Sequence, residues 1–304
     1  MRRPAASQGK ERAPMESKGI LRHVKLPSED FADQWDRIFV PQEVKDRLLA
    51  QAIIEFAMRG KLSQTSVPLH GLILLVGPPG TGKTSLARGL AHRVAESLSG
   101  QTIHFVEVEP HGLASSSLGQ SQRSVRDLLQ ETIAEYAANG PLVVLLDEVE
   151  TLAADRRKMS LEANPIDVHR ATDAVLAGLD HLAAEYPNLL FIATSNFREA
   201  IDEALISRAD LIEIIGMPGQ EACRAILRDT LSALADHWPR VARLLECPEF
   251  ETAIKEAEGL DAREIRKAVL SALTFSKDVA MDPNRLEMED LLRSIRHKKE
   301  KGLG

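Results

Sequence analysis

Eight residues, Gly77-Pro78-Pro79-Gly80-Thr81-Gly82-Lys83-Thr84, constrain this chain more than any other stretch. They follow the apolar run Leu72-Ile73-Leu74-Leu75-Val76 and lead into Ser85-Leu86-Ala87-Arg88-Gly89-Leu90-Ala91, which reads as a helix. Strand, glycine-rich turn and helix in that order are the setting of a phosphate-binding loop. Glycines let backbone N–H groups converge on phosphate oxygens with no Cβ in the way. The helix N-terminus adds unpaired N–H groups and a partial positive charge. Gly77 to Ser85 is therefore expected to cradle the phosphates of ATP. Lys83 should reach the β- and γ-phosphates, and the Thr84 hydroxyl should ligate Mg²⁺. The bland alternative is an ordinary glycine turn before a helix.

The runs on either side set the fold class. Thr102 to Val108, Leu142 to Leu146, Leu189 to Thr194 and Leu211 to Ile215 read as further strands. Between them, Ser124 to Ala138 and Asp167 to Ala184 read as helices, and Gln42 to Met58 precedes the first strand with apolar residues at helical spacing. Alternating strands and helices predict an α/β fold with a five-stranded parallel sheet covered on both faces. Beyond Pro218 no strand signal recurs. Glu221 to Asp236, Phe250 to Ala257, Ala262 to Ser276 and Arg285 to His297 all look helical. The expected organisation is a flexible tail over 1–30, a large α/β domain over 31–217 with structure starting near Trp35, and a helical domain over 218–304.

Composition narrows the functional classes. The 304 residues carry a formal net charge of -7, which weighs against a nucleic-acid binder with a basic face. Two cysteines, Cys223 and Cys247, form neither a metal-type spacing nor a disulfide framework, which fits a reducing compartment. No apolar run approaches the ~18–20 residues of a membrane span. Arg2-Arg3 is not followed by an apolar segment, so no export signal is expected and a cytoplasmic location fits.

Four further positions carry candidate chemistry. The third strand ends in Asp147-Glu148, and ligands of such sheets collect at the carboxyl ends of strands. Asp147 is placed to hold Mg²⁺ through water, and Glu148 to polarise the water that attacks the γ-phosphate. A solvated acidic turn is the alternative. The fourth strand ends in Thr194-Ser195-Asn196, where the Asn196 amide can bond both the γ-phosphate and the lytic water; a turn-forming asparagine is the alternative. Arg208, just before the fifth strand, suits the charge of a transferring phosphoryl group, or it is a surface arginine paired with Asp210. Arg263 opens a helix after Gly259-Leu260-Asp261-Ala262 and can reach back over a nucleotide, or it is an ordinary first-turn residue.

In this order, the phosphate loop, Asp147-Glu148, Asn196, Arg208 and Arg263 resemble the AAA+ ATPases from about Trp35 to the C-terminal helices. Val143 to Leu152, Ile206 to Leu211, Glu258 to Arg263, Trp35 to Leu49, and Pro165 to Leu176 with Asp167 and Arg170 look like the pachytene-checkpoint branch, which remodels HORMA-domain proteins. The resemblance implies a homo-hexameric ring, with Arg208 acting in trans as an arginine finger and Arg263 in cis as a second sensor. It also implies a helical lid and ATP-driven pulling on a HORMA protein. The short N-terminal segment resembles compact bacterial members of anti-phage operons, in which the HORMA protein activates a cGAS-like nucleotidyltransferase. The loop His111 to Gln122 departs from the family: Leu118 is its only bulky central residue where an aromatic usually grips the threaded chain. Loops around Leu118 and from Arg156 to Asp167 are the expected moving parts. A nucleic-acid-associated AAA+ ATPase, such as a loader or transposition regulator, is the competing expectation.

Overall fold

The computed structural model describes residues 19–62, 68–98, 100–109, 120–153 and 165–302. The expectations for Leu118 and for Arg156 to Asn164 lie outside these residues, as does the side chain of Asp167. The first element is a strand, β1 (Ile20–Leu26), followed by helices α1 (Glu29–Asp36) and α2 (Gln42–Met58). Then come β2 (Leu72–Val76), α3 (Lys83–Ser97) and β3 (Ile103–Val108). Helix α4 (Gln120–Asp127) passes through a π-turn, Leu128–Ile133, into α5 (Ala134–Ala138). After β4 (Leu142–Leu146) come α6 (Pro165–Glu185), β5 (Leu189–Ser195), α7 (Glu203–Ile206) and β6 (Leu211–Ile214).

The strands form one sheet in the order β1-β3-β4-β5-β2-β6. The five strands from β3 to β6 are parallel, as expected. The sixth, β1, is antiparallel to β3 and overturns two expectations: the sheet has six strands, and residues 20–26 are not tail. Only Leu26 of β1 is fully buried. An edge strand with one solvated side is held by backbone hydrogen bonds to its neighbour, and no apolar run announces it.

Strands β2 and β4 are buried at every position. That requires apolar cover on both faces, and the side chains alternate accordingly. Leu72, Leu74 and Val76 join the core under the α4–α5 stretch and α6. Ile73 and Leu75 join the opposite core, with α1, α2 and α3. Each fully buried Leu, Ile or Val contributes roughly 1.5–3 kcal/mol of transfer free energy.

Beyond β6 the chain is helical: α8 (Gln220–Ala235), a 3-10 segment over Pro239–Leu245, α9 (Phe250–Ala257), α10 (Ala262–Ala272), α11 (Lys277–Met281) and α12 (Met288–Gly302). The 3-10 segment and α11 carry too few residues to announce themselves by periodicity. These helices bury a third core, with Leu227, Phe250, Ile265 and Leu291 among its members and Phe39 packed against it from the other side of the chain.

Candidate nucleotide-binding site

The loop between β2 and α3 turns through two left-handed residues, Gly80 at φ 80° and Gly82 at φ 93°. Residues with a Cβ rarely adopt that region, so the glycines are required by the turn itself. A Cβ on Gly80 would also fall 2.2 Å from the Asp261 carboxylate, so the N-terminus of α10 sits directly against the loop. Asp261 caps α10 by accepting from the Glu264 N–H at 2.8 Å, and Glu264 accepts from the Asp261 N–H in return.

Lys83 is the first residue of α3 and only 6% exposed. Its ammonium donates to the carbonyls of Gly77 (2.8 Å) and Pro78 (2.9 Å) and to Asn196 Oδ1 (3.0 Å). Burial holds its pKa below the ordinary lysine range; Glu150, Asp147 and Glu148 oppose that shift, and Arg263 adds to it. A desolvated cation ringed by backbone carbonyls is poised to exchange them for phosphate oxygens.

Register brings the acids to the same place. Leu146 of β4 lies opposite Ala193 of β5, so the next residues, Asp147 and Thr194, meet above the sheet. Asp147 Oδ1 accepts from the hydroxyls of Thr84 (2.8 Å) and Thr194 (2.5 Å). Glu148 adopts φ 51°, ψ 51°, the only non-glycine residue at positive φ among those described. Its N–H donates to Thr194 Oγ1 at 3.1 Å, and its Oε1 lies 3.4 Å from the Asn196 amide nitrogen. The strained turn aims the Glu148 carboxylate back toward Asn196 and Lys83, away from a path along the strand. Asn196 is further fixed by its own N–H, which donates to Glu150 Oε1 at 3.1 Å.

The structure thus brings Lys83, Thr84, Asp147, Glu148 and Asn196 into one connected cluster. Arg263 is exposed in the first turn of α10, near enough for its charge to act on Lys83. Arg208 is elsewhere. Its guanidinium makes a bidentate pair with Asp180 of α6, at 2.7 and 2.8 Å, and also donates to the Ala204 carbonyl. The pairing with Asp210 raised as an alternative does not form; the Asp210 carboxylate accepts backbone N–H groups instead. Sequence reading assigned no role to Thr194, Glu150 or Asp180. The signal for Thr194 is its position at the strand end beside Asn196; Glu150 and Asp180 have no local signal.

Beside the loop lies a cleft of about 980 Å³ reached at Thr81 and lined by Ile38, Val40, Met217, Ala222 and Arg266, among others. It lies between the segment before α2, the end of β6 and helices α8 and α10. Mixed apolar walls next to a phosphate cradle suit a nucleoside.

A parallel sheet with a glycine loop and lysine after β2, acids after β4 and an amide after β5 is the arrangement on which P-loop ATPases hold nucleotide. Residues 73–217 match the family described as "ATPase family associated with various cellular activities (AAA)". CD-NTase-associated protein 6 of Pseudomonas aeruginosa is 55% identical over 283 residues, which cover 93% of this chain and 93% of that protein. The chain belongs to the family of that protein and carries its AAA domain. The putative pachytene checkpoint protein 2 of Caenorhabditis elegans is 30% identical over 276 residues, covering 83% of this chain and 64% of the relative. This chain therefore spans a little under two thirds of that protein's length. Among solved structures, a chain of the E. coli MS115-1 HORMA:CdnC:Trip13 complex shares the fold, with TM-score 0.72 and 18% identity over 92% of this chain and 96% of that one. No helix among the described residues is long and apolar enough to cross a membrane.

Proposed function

We propose that this chain is an ATP-hydrolysing motor that partly unfolds HORMA-domain proteins, separating a HORMA protein from a cGAS-like nucleotidyltransferase and switching off anti-phage signalling. The observation that carries the chemistry is the single hydrogen-bonded cluster running from Thr84 through Asp147 and Thr194 to Glu148, Asn196 and Lys83. The partner rests on the relative at 55% identity, named for association with a CD-NTase, and on a fold shared with a chain solved in complex with HORMA and CdnC.

ATP lies with its base in the cleft at Thr81 and its phosphates over Gly77 to Ser85. Lys83 trades its loop carbonyls for the β- and γ-phosphates. The donor set at Thr84 and Asp147, a hydroxyl and a carboxylate 2.8 Å apart, suits Mg²⁺, a hard cation that takes oxygen ligands. When bound, that ion neutralises charge on the phosphate oxygens. Glu148 accepts the proton of the attacking water, and Asn196 orients that water. In a homo-hexameric ring Arg208 leaves Asp180 and enters the neighbouring site, while Arg263 reads the γ-phosphate in cis. The helical unit over 218–304 closes on the α/β unit over 31–217, with α10 pressed on the loop at Gly80 as the point of contact.

The test is phosphate release by the purified protein, with and without a HORMA-domain protein. Stimulation by the HORMA protein supports the reading, with Glu148→Gln binding ATP but releasing no phosphate. Undiminished release by Glu148→Gln removes that residue from its role, and no release under any condition removes the motor.

A further inference from the structure

Arg208 has no contact with the nucleotide site of its own chain, so whatever it does for a neighbour depends on how its backbone is held. The segment carrying it is short. Arg208 and Ala209 close turns onto Leu205 and Ile206, and Asp210 follows at once. The Asp210 side chain is 5% exposed. Its carboxylate accepts the His70 N–H at 3.0 Å on each oxygen and the Leu72 N–H at 2.9 Å, while its own N–H donates to the Leu72 carbonyl at 2.8 Å. Four hydrogen bonds therefore staple the residue two past Arg208 to the start of β2, the strand that ends in the phosphate loop.

Burying a carboxylate is costly unless its oxygens are satisfied, and a solvated turn would need no acid here. The buried guanidinium of Arg59, the residue that closes α2, is close enough for charge to be felt: burial lowers its pKa, and the Glu55 and Asp210 carboxylates oppose that shift. Arg59 in turn donates to the carbonyls of Ala183 and Leu189, at the end of α6 and the start of β5. The same α6 carries Asp180, which holds the guanidinium of Arg208. Both ends of the Arg208 segment are thus tied to elements that shape the chain's own site.

We propose that Asp210 is a positioning residue for Arg208: it fixes the finger's backbone to the base of β2 so that the guanidinium meets the neighbouring subunit's γ-phosphate. This rests on the reading of Arg208 as acting in trans. Asparagine keeps one acceptor oxygen, which can still take the His70 and Leu72 N–H groups where Oδ2 now sits, but it turns its N–H₂ toward the His70 N–H in place of Oδ1, so the staple loosens while the side-chain volume stays.

The experiment uses full-length chains co-expressed with distinct tags and purified as mixed assemblies. Asp210→Asn alone keeps ATP affinity within about twofold and loses roughly 100-fold in phosphate release, the scale of a 1 Å misplacement. Glu148→Gln alone is inactive but has an intact finger. Mixed assemblies of the two regain activity, because Glu148→Gln subunits present Arg208 to Asp210→Asn subunits whose own pockets are sound. A defect in the Asp210 variant's own pocket or fold would not be rescued in this way. Asp210→Glu, which keeps the charge but changes its reach, shows the same pattern with a smaller loss. Arg208→Ala mixed with Glu148→Gln is the control. If that control mixture stays inactive, the trans reading falls and the proposal with it. If it regains activity but the Asp210→Asn and Asp210→Glu mixtures do not, or if Asp210→Asn alone hydrolyses ATP at the wild-type rate, the proposal alone is overturned.

Discussion

Glu148 is the place where the site's geometry works against the chain's stability, and the size of the conflict can be worked out. At φ 51°, ψ 51° it sits in the left-handed region. There a residue with a Cβ is disfavoured by roughly 1–2 kcal/mol. Glycine escapes that penalty, but its freer unfolded chain gives back about 0.4–1 kcal/mol. Glu148→Gly should therefore be more stable than Glu148→Ala by about 0.5–1 kcal/mol. At an unstrained position the order is reversed, so the sign of the difference reports the strain. Both variants retain the backbone N–H bonded to Thr194, and both lack the carboxylate, so neither contact blurs the comparison. The assay is urea unfolding of the two variants at one protein concentration without nucleotide. Both should release no phosphate while still binding ATP. If Ala proves the more stable of the pair, the left-handed turn is not what holds Glu148 over the site, and the strain argument fails.

Other perturbations have defined outcomes. Thr194→Val keeps the shape but removes the acceptor for the Glu148 N–H and a donor to Asp147; at 1% exposure, that should cost about 1–3 kcal/mol in denaturation and lower phosphate release tenfold or more, with ATP still bound. Lys83→Met should weaken ATP binding at least tenfold by calorimetry, since an apolar chain of similar length offers no donor to a phosphate oxygen. Glu55 is 1% exposed and its pKa is pushed up to about 7, by burial first and by the Asp210 carboxylate second. Because the folded state holds this proton more tightly than the unfolded chain at 4.5, its contribution is full below 4.5 and lost as pH rises through 7. Glu55→Gln should flatten the pH dependence of stability across that window, measured by urea unfolding at steps from pH 5 to pH 8.

What could be read in the sequence was whatever is written contiguously. The apolar run of β2, the glycine loop and the start of α3 are adjacent, and so are β4 and Asp147-Glu148; a buried parallel strand followed by its ligands leaves a local trace. Edge strand β1 leaves none, because its side chains are mostly solvated and its bonds depend on β3, some 80 residues away. The π-turn at Leu128–Ile133 packs against α6, and no period in the sequence marks it. Thr194 meets Asp147 through strand register, and Asp180 meets Arg208 across 28 residues. Such partners follow from the folded arrangement, so Lys83, Thr84, Asp147, Glu148 and Asn196 could be singled out in the sequence while the contacts that join them could not.

A motor of the proposed kind must turn phosphoryl transfer at the Lys83–Glu148 cluster into work on another protein. The direct measurement is the separation of a fluorescently labelled HORMA protein from its nucleotidyltransferase partner, followed in time after mixing with this chain and ATP. Separation is expected with the wild-type chain and ATP, and none with ADP or with Glu148→Gln and ATP. Separation that proceeds equally with Glu148→Gln, or that needs no ATP, would rule the motor out.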